Sequence, residues 1–65
     1  MRNFNIVAMA RQQGAIGEFS EYRTSVTVNA EWLARGGDLT RVALDAVTDD
    51  GREVHHIVTI EEQTK

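Results

Sequence analysis

Apolar and polar residues alternate along most of this chain, and the period of the alternation changes part-way. Phe4, Ile6, Ala8 and Ala10 fall at every second position, interleaved with Asn5, Val7, Met9 and Arg11. Successive side chains of a strand point to opposite faces, so a period of two predicts a strand over residues 3–11. The Phe4 face is the expected core face, and the other is half apolar. Residues 12–18 contain Gly14 and Gly17 and read as a turn or loop. Alternation resumes from Phe19 or Ser20 to Asn29. Tyr22, Thr24, Val26 and Val28 share one face, and Arg23, Ser25 and Thr27 the other. Branched Thr and Val favour extended backbone, and this second strand is expected to pair antiparallel with the first.

From residue 30 the period lengthens. Ala30 to Arg35 has helix propensity, with Asn29 placed to cap it. Gly36-Gly37 then forces a break, because each helical glycine costs about 1 kcal/mol against alanine. A restart is expected at Asp38, whose carboxylate can accept from the free amides of the next turn. Leu39, Val42, Ala43, Ala46 and Val47 repeat at three and four, which is one helical stripe. Gly51 suits the position just past its end. A rival reading exists: Val42, Leu44 and Ala46 also alternate, and Asp50-Gly51 is a hairpin signal. That reading scatters Leu39, Ala43 and Val47 over two faces, so the helix is preferred.

Residues 52–61 give a third strand. Regular alternation puts Val54, His56, Val58 and Ile60 on the core face, and His55, Ile57, Thr59 and Glu61 on the open face. Residues 62–65 are expected to fray. The fold class predicted is therefore α+β. It is a small two-layer β-β-α-β domain, residues 1–65, with a three-stranded antiparallel or mixed sheet and one helix. The alternative is a mostly β chain with a hairpin over 42–60.

Composition sharpens this picture. Leu, Ile, Val and Phe supply only 16 of 65 residues, so the core must be thin. A chain near this length buries only about 60% of its unfolded surface. There is no cysteine, which excludes disulfide staples and thiolate metal sites. Self-association is a natural way to complete such a core, and a homodimer is the expected state. One sheet face is left without a helix. Val7, Met9, Arg23, Thr27, His55 and Ile57 are expected there.

The net charge is −3 and is unevenly divided. Residues 1–37 carry +1 and residues 38–65 carry −4. An acidic balance argues against a general nucleic-acid or membrane-surface binder. The apolar stretch at the start is stopped by Arg11 and is far short of a membrane span. Cytoplasm is the expected location.

The chemistry of known catalytic and metal sites is missing. His55 and His56 are neighbours in a strand and are expected on opposite faces, unable to hold one ion together. Asp49-Asp50-Gly51 resembles part of a calcium loop, but position 57, where the closing glutamate belongs, is isoleucine. Ser20 and Ser25 lack a nucleophile elbow. Gly14-Ala15-Ile16-Gly17 fits the backbone-clamping G-x-x-G pattern at two positions only, between strands rather than helices. No cofactor or metal is predicted, and the expectation is a protein that is not an enzyme.

Contact residues remain. Ile16 in the first loop is either an exposed apolar contact or folded back over the sheet edge. Trp32, beside the glycine pair, either caps the core, which is favoured, or anchors a partner. Arg11 and Arg23 share a nominal face and could hold phosphates, although salt bridges to nearby glutamates are the simpler use. The expected function is an accessory, non-enzymatic protein-interaction module that works as a homo-oligomer. Its candidate surface comprises Val7, Met9, Arg11, Ile16, Arg23, Trp32, His55 and Ile57. The alternatives are a nucleic-acid contact through Arg11 and Arg23, and a structural or regulatory subunit.

Overall fold

A computed structural model of the chain describes residues 1–63. The elements follow the order β1 (Arg2–Gln12), β2 (Ser20–Val28), α1 (Ala30–Ala34), α2 (Leu39–Asp49) and β3 (Arg52–Glu62). The strands form one antiparallel sheet in the order β2-β1-β3. The fold is a two-layer α+β domain, fully antiparallel rather than mixed, and with two helical segments rather than one. It is long and thin, 40 × 22 × 15 Å, with a radius of gyration of 12.4 Å.

The helices begin where the polar caps predict. The Asn29 side chain accepts from the amides of Glu31 and Trp32, at 2.7 and 3.3 Å. Asp38 accepts from the amide of Arg41 at 3.2 Å and starts α2. Residues 39–49 are helical, so the 42–60 hairpin does not form. Four-residue spacing gathers Ala43 and Val47 on one side, both fully buried, whereas alternation would have divided the apolar stripe. Gly51, at φ +81°, follows α2 in the left-handed region and turns the chain into β3.

The core lies between α2 and the inward face of the sheet. Ile6, Ala8, Ala10, Ala43 and Val47 are its centre, each at most 1% exposed. Three of these five are alanines, and small side chains on both layers let the helix lie close to the strands. Tyr22, Val26, Val54, Ile57 and Ile60 pack around them. Tyr22 also ties the end of α2 to β2, its hydroxyl donating to Asp50 Oδ2 at 2.7 Å. That hydrogen bond, with burial and the Asp50 charge, raises the phenol above its ordinary pKa. The Arg52 guanidinium lies 4.8 Å from the ring centroid on the same side.

The third strand departs from the predicted alternation. Phe4–Gln12, nine residues of β1, face eleven residues of β3, Arg52–Glu62. The surplus is taken up in two bulges. Thr59 pairs with Val7 and Ile57 with Ala8, leaving Val58 without a partner. His56 pairs with Met9 and Val54 with Ala10, leaving His55 without one. Each bulge inverts the parity of the strand. Val54, Ile57 and Ile60 consequently face the core. Ile57 is thus removed from the predicted open face, and His56 from the predicted core face. Regular alternation would have set an imidazole among buried residues that include no polar partner, and such burial is costly. The bulges expose Val58, at 49%, and bring Ile57 inside instead.

The C-terminal end of β3 is paired with β1 as far as Glu62. Glu62 pairs with Phe4, and the Gln63 amide donates to the Asn3 carbonyl at 2.8 Å. Arg2 donates through Nε and Nη2 to the two Glu62 carboxylate oxygens, both at 2.7 Å. These hydrogen bonds hold the Glu62 carboxyl below, and the Arg2 guanidinium above, their ordinary pKa values. Of the segment expected to fray, residues 64 and 65 lie outside the described residues.

Candidate interaction surface

The face of the sheet away from α2 carries three clear rows: Glu21–Met9–His56, Arg23–Val7–Thr59 and Ser25–Asn5–Glu61. Val7 and Met9 are half-buried among polar neighbours. A depression of about 280 Å³ is lined mainly by Asn5, Val7, Arg23, Thr59 and Glu61. Its charged groups, one guanidinium and one carboxylate, offer polar recognition but no nucleophile paired with a base.

Arg11 and Arg23 do share this face, and each is occupied by a carboxylate. Arg11 donates to Glu53 at 3.0 Å and to the Gly17 carbonyl at 2.6 Å, and lies 4.4 Å from the Phe19 ring centroid. It therefore clamps the first loop against the sheet. Arg23 meets Glu21 at 2.7 Å. The two guanidinium groups form separate ion pairs rather than one phosphate cradle. Arg2 belongs to the other parity of β1, over Phe4.

The loop tip carries Ile16, fully exposed, so it is the apolar projection and not a cover for the sheet edge. Trp32 is 39% exposed and α1 contributes no buried residue. Instead of capping the core, the indole lies over Gly37, so close that a Cβ there would overlap Cδ2, Cε2 and Cε3. A side chain larger than hydrogen at residue 37 would displace it.

The histidines are arranged against expectation. His56, opposite Met9, occupies the open face, and the bulge returns His55 to the same side. The two Nδ1 atoms are 2.7 Å apart, and the Phe19 ring centroid lies 4.9 Å from that of His55. Of the predicted surface, Val7, Met9, Arg11, Arg23 and His55 come together. Ile57 is excluded, Ile16 stands exposed at the loop tip, and Trp32 lies against Gly37. His56 and Phe19 were missed. The available signal was the spacing of Val54, Ile57 and Ile60 at intervals of three, which a regular strand cannot place on one face.

Both edges of the sheet lack a fourth strand, but they differ. The β3 edge is broken by its two bulges. The β2 edge is regular for nine residues, without proline, lysine or bulge. Among the described residues, no backbone group of Ser20–Val28 bonds to anything but β1. Among the described residues there is also no cluster of three or more His, Cys, Asp or Glu able to hold a metal, and no helix long and apolar enough to cross a membrane. No family model, curated protein or solved structure matches the chain.

Proposed function

We propose that this chain is a small non-enzymatic protein-interaction module that assembles as a homodimer through β2. The observation that carries the reading is the bare, regular β2 edge. An edge strand presents unpaired N–H and C=O groups and is a template for another strand. Proteins that stay monomeric blunt such edges with bulges, prolines or lysines; here β3 has the bulges and β2 has none. Antiparallel pairing of two β2 strands about a two-fold axis joins the sheets into six strands, with both helices on one side. The open face doubles in width and becomes the surface for a further protein partner. Val7 and Met9 are the apolar points of each half. Within this reading the module is an accessory protein of the cytoplasm.

The arginine-mediated nucleic-acid reading ranks lower, because Arg11 and Arg23 are already engaged by Glu53 and Glu21.

The test is absolute mass by light scattering over a concentration series. The native chain is expected at twice the 7.3 kDa chain mass. A double variant, Glu21→Lys with Ser25→Lys, places three cations along β2 with Arg23 and sets like charges against each other across the axis. It is expected to be monomeric, with stability changed by no more than about 1 kcal/mol because both sites are exposed. A native chain that remains a folded 7.3 kDa monomer at every concentration overturns the proposal. A dimer that survives both lysines overturns the assignment to β2.

A further inference from the structure

The geometry points to a second, separate property: His55 and His56 form a two-nitrogen chelate for a divalent copper ion. Two consecutive strand residues ordinarily diverge. Here the bulge at His55 gives both side chains one direction, with ring centroids 4.9 Å apart and planes at 74°. The Nδ1···Nδ1 distance is 2.7 Å. Two imidazole nitrogens at about 2.05 Å from a metal, at a right angle, are separated by roughly 2.9 Å, whereas a tetrahedral angle needs about 3.3 Å. The hydrogen-bonded separation is shorter than either edge, so the two nitrogens already stand close enough to become neighbouring ligands after a small opening, smallest for the square. Square and tetragonal nitrogen–oxygen sites suit Cu(II), which also stands highest in the affinity order of the first-row divalent ions.

In the metal-free pair one Nδ1–H donates to the other Nδ1. Metal binding needs both Nδ1 lone pairs, so the donor ring takes its second tautomer and keeps its proton on Nε2. Each ring then offers Nδ1 to the ion and carries its proton on Nε2. Both side chains are exposed, so a modest rotation about Cβ–Cγ aims both lone pairs at one external point. The Phe19 ring supports His55 from the side. The remaining corners go to water or an added ligand, because no third His, Cys, Asp or Glu among the described residues completes the set.

The experiment titrates the full chain with Cu(II) supplied as its glycine complex, followed by electron paramagnetic resonance and calorimetry. One equivalent should bind per chain, with hyperfine coupling to two imidazole nitrogens. H55A and H56A should each weaken binding roughly tenfold or more, and the double variant should lose the two-nitrogen signature. Circular dichroism of the variants should be native. Zn(II) should bind more weakly than Cu(II). Cu(II) affinity and spectrum unchanged in the double variant would put the ligands elsewhere and overturn the proposal. Zn(II) binding more tightly than Cu(II) would overturn the assignment to copper.

Discussion

Replacing Ile57 by aspartate separates the bulged β3 from a regularly alternating one. In the structure Ile57 pairs with Ala8 and packs on the cluster of Ile6, Ala8, Ala43 and Val47. Ile57 is only partly buried, so withdrawing its side chain loses about 1–2 kcal/mol, less than a fully buried isoleucine would. Leaving a carboxylate there without a partner adds roughly 1–3 kcal/mol. The sum, about 2–5 kcal/mol, compares with a total stability of roughly 3–10 kcal/mol for a chain of this size. Met9→Asp is the control, since Met9 lies on the opposite face. It should cost no more than about 1 kcal/mol, including repulsion from Glu21 directly opposite. Urea titration by far-ultraviolet circular dichroism reads both. With a slope near 1 kcal/mol/M, Ile57→Asp should lower the midpoint by about 2–5 M or abolish the transition. A native midpoint for Ile57→Asp, equal to that of the Met9→Asp control, would refute the bulged register, because it would return Ile57 to the open face.

Gly37→Ala should drive the Trp32 indole off residue 37 and destabilise by about 1–3 kcal/mol. The emission of the single tryptophan should shift red, and native emission with native stability would contradict the contact. Tyr22, the only tyrosine, should titrate above the ordinary value of about 10 in an absorbance titration of the phenolate, because the neutral hydroxyl donates to Asp50. Its folded pKa is raised, so its contribution to stability is complete below the unfolded pKa and disappears as pH rises through the folded one. Asp50→Asn should lower the midpoint; an unchanged midpoint would remove Asp50 as the cause.

Much of the architecture was legible because two periodicities are cleanly written. The alternation of Phe4, Ile6, Ala8 and Ala10 and the three–four stripe from Leu39 to Val47 each select one geometry. Asn29 and Asp38 mark both helix starts, since a short side-chain oxygen before a helical run has few other uses. The third strand was misread because two patterns overlap in it. Val54, His56, Val58 and Ile60 fit a regular strand, while Val54, Ile57 and Ile60 fit a doubly bulged one. Only the sheet partner decides between them, and Ala8 and Ala10 of β1 leave room for isoleucine, not for an unpartnered imidazole. The same slip displaced Ile57 from the candidate surface and hid the meeting of His55 with His56. Trp32 was misplaced for a different reason. Bulk favours burial in general, but α1 is little more than one turn long and contributes no buried residue, and the indole ring lies on the bare backbone of Gly37.

The long, thin shape has a hydrodynamic consequence. A compact chain of 65 residues should have a radius of gyration near 10.7 Å, and a value of 12.4 Å belongs to one of roughly 95 residues. A monomer of this protein therefore elutes from a calibrated column somewhat ahead of a spherical chain of the same mass. Two copies joined antiparallel along β2 widen the molecule across the strands rather than along its 40 Å length. Elution volume compresses the difference between the two states, while scattered intensity, which follows mass alone, keeps the full factor of two.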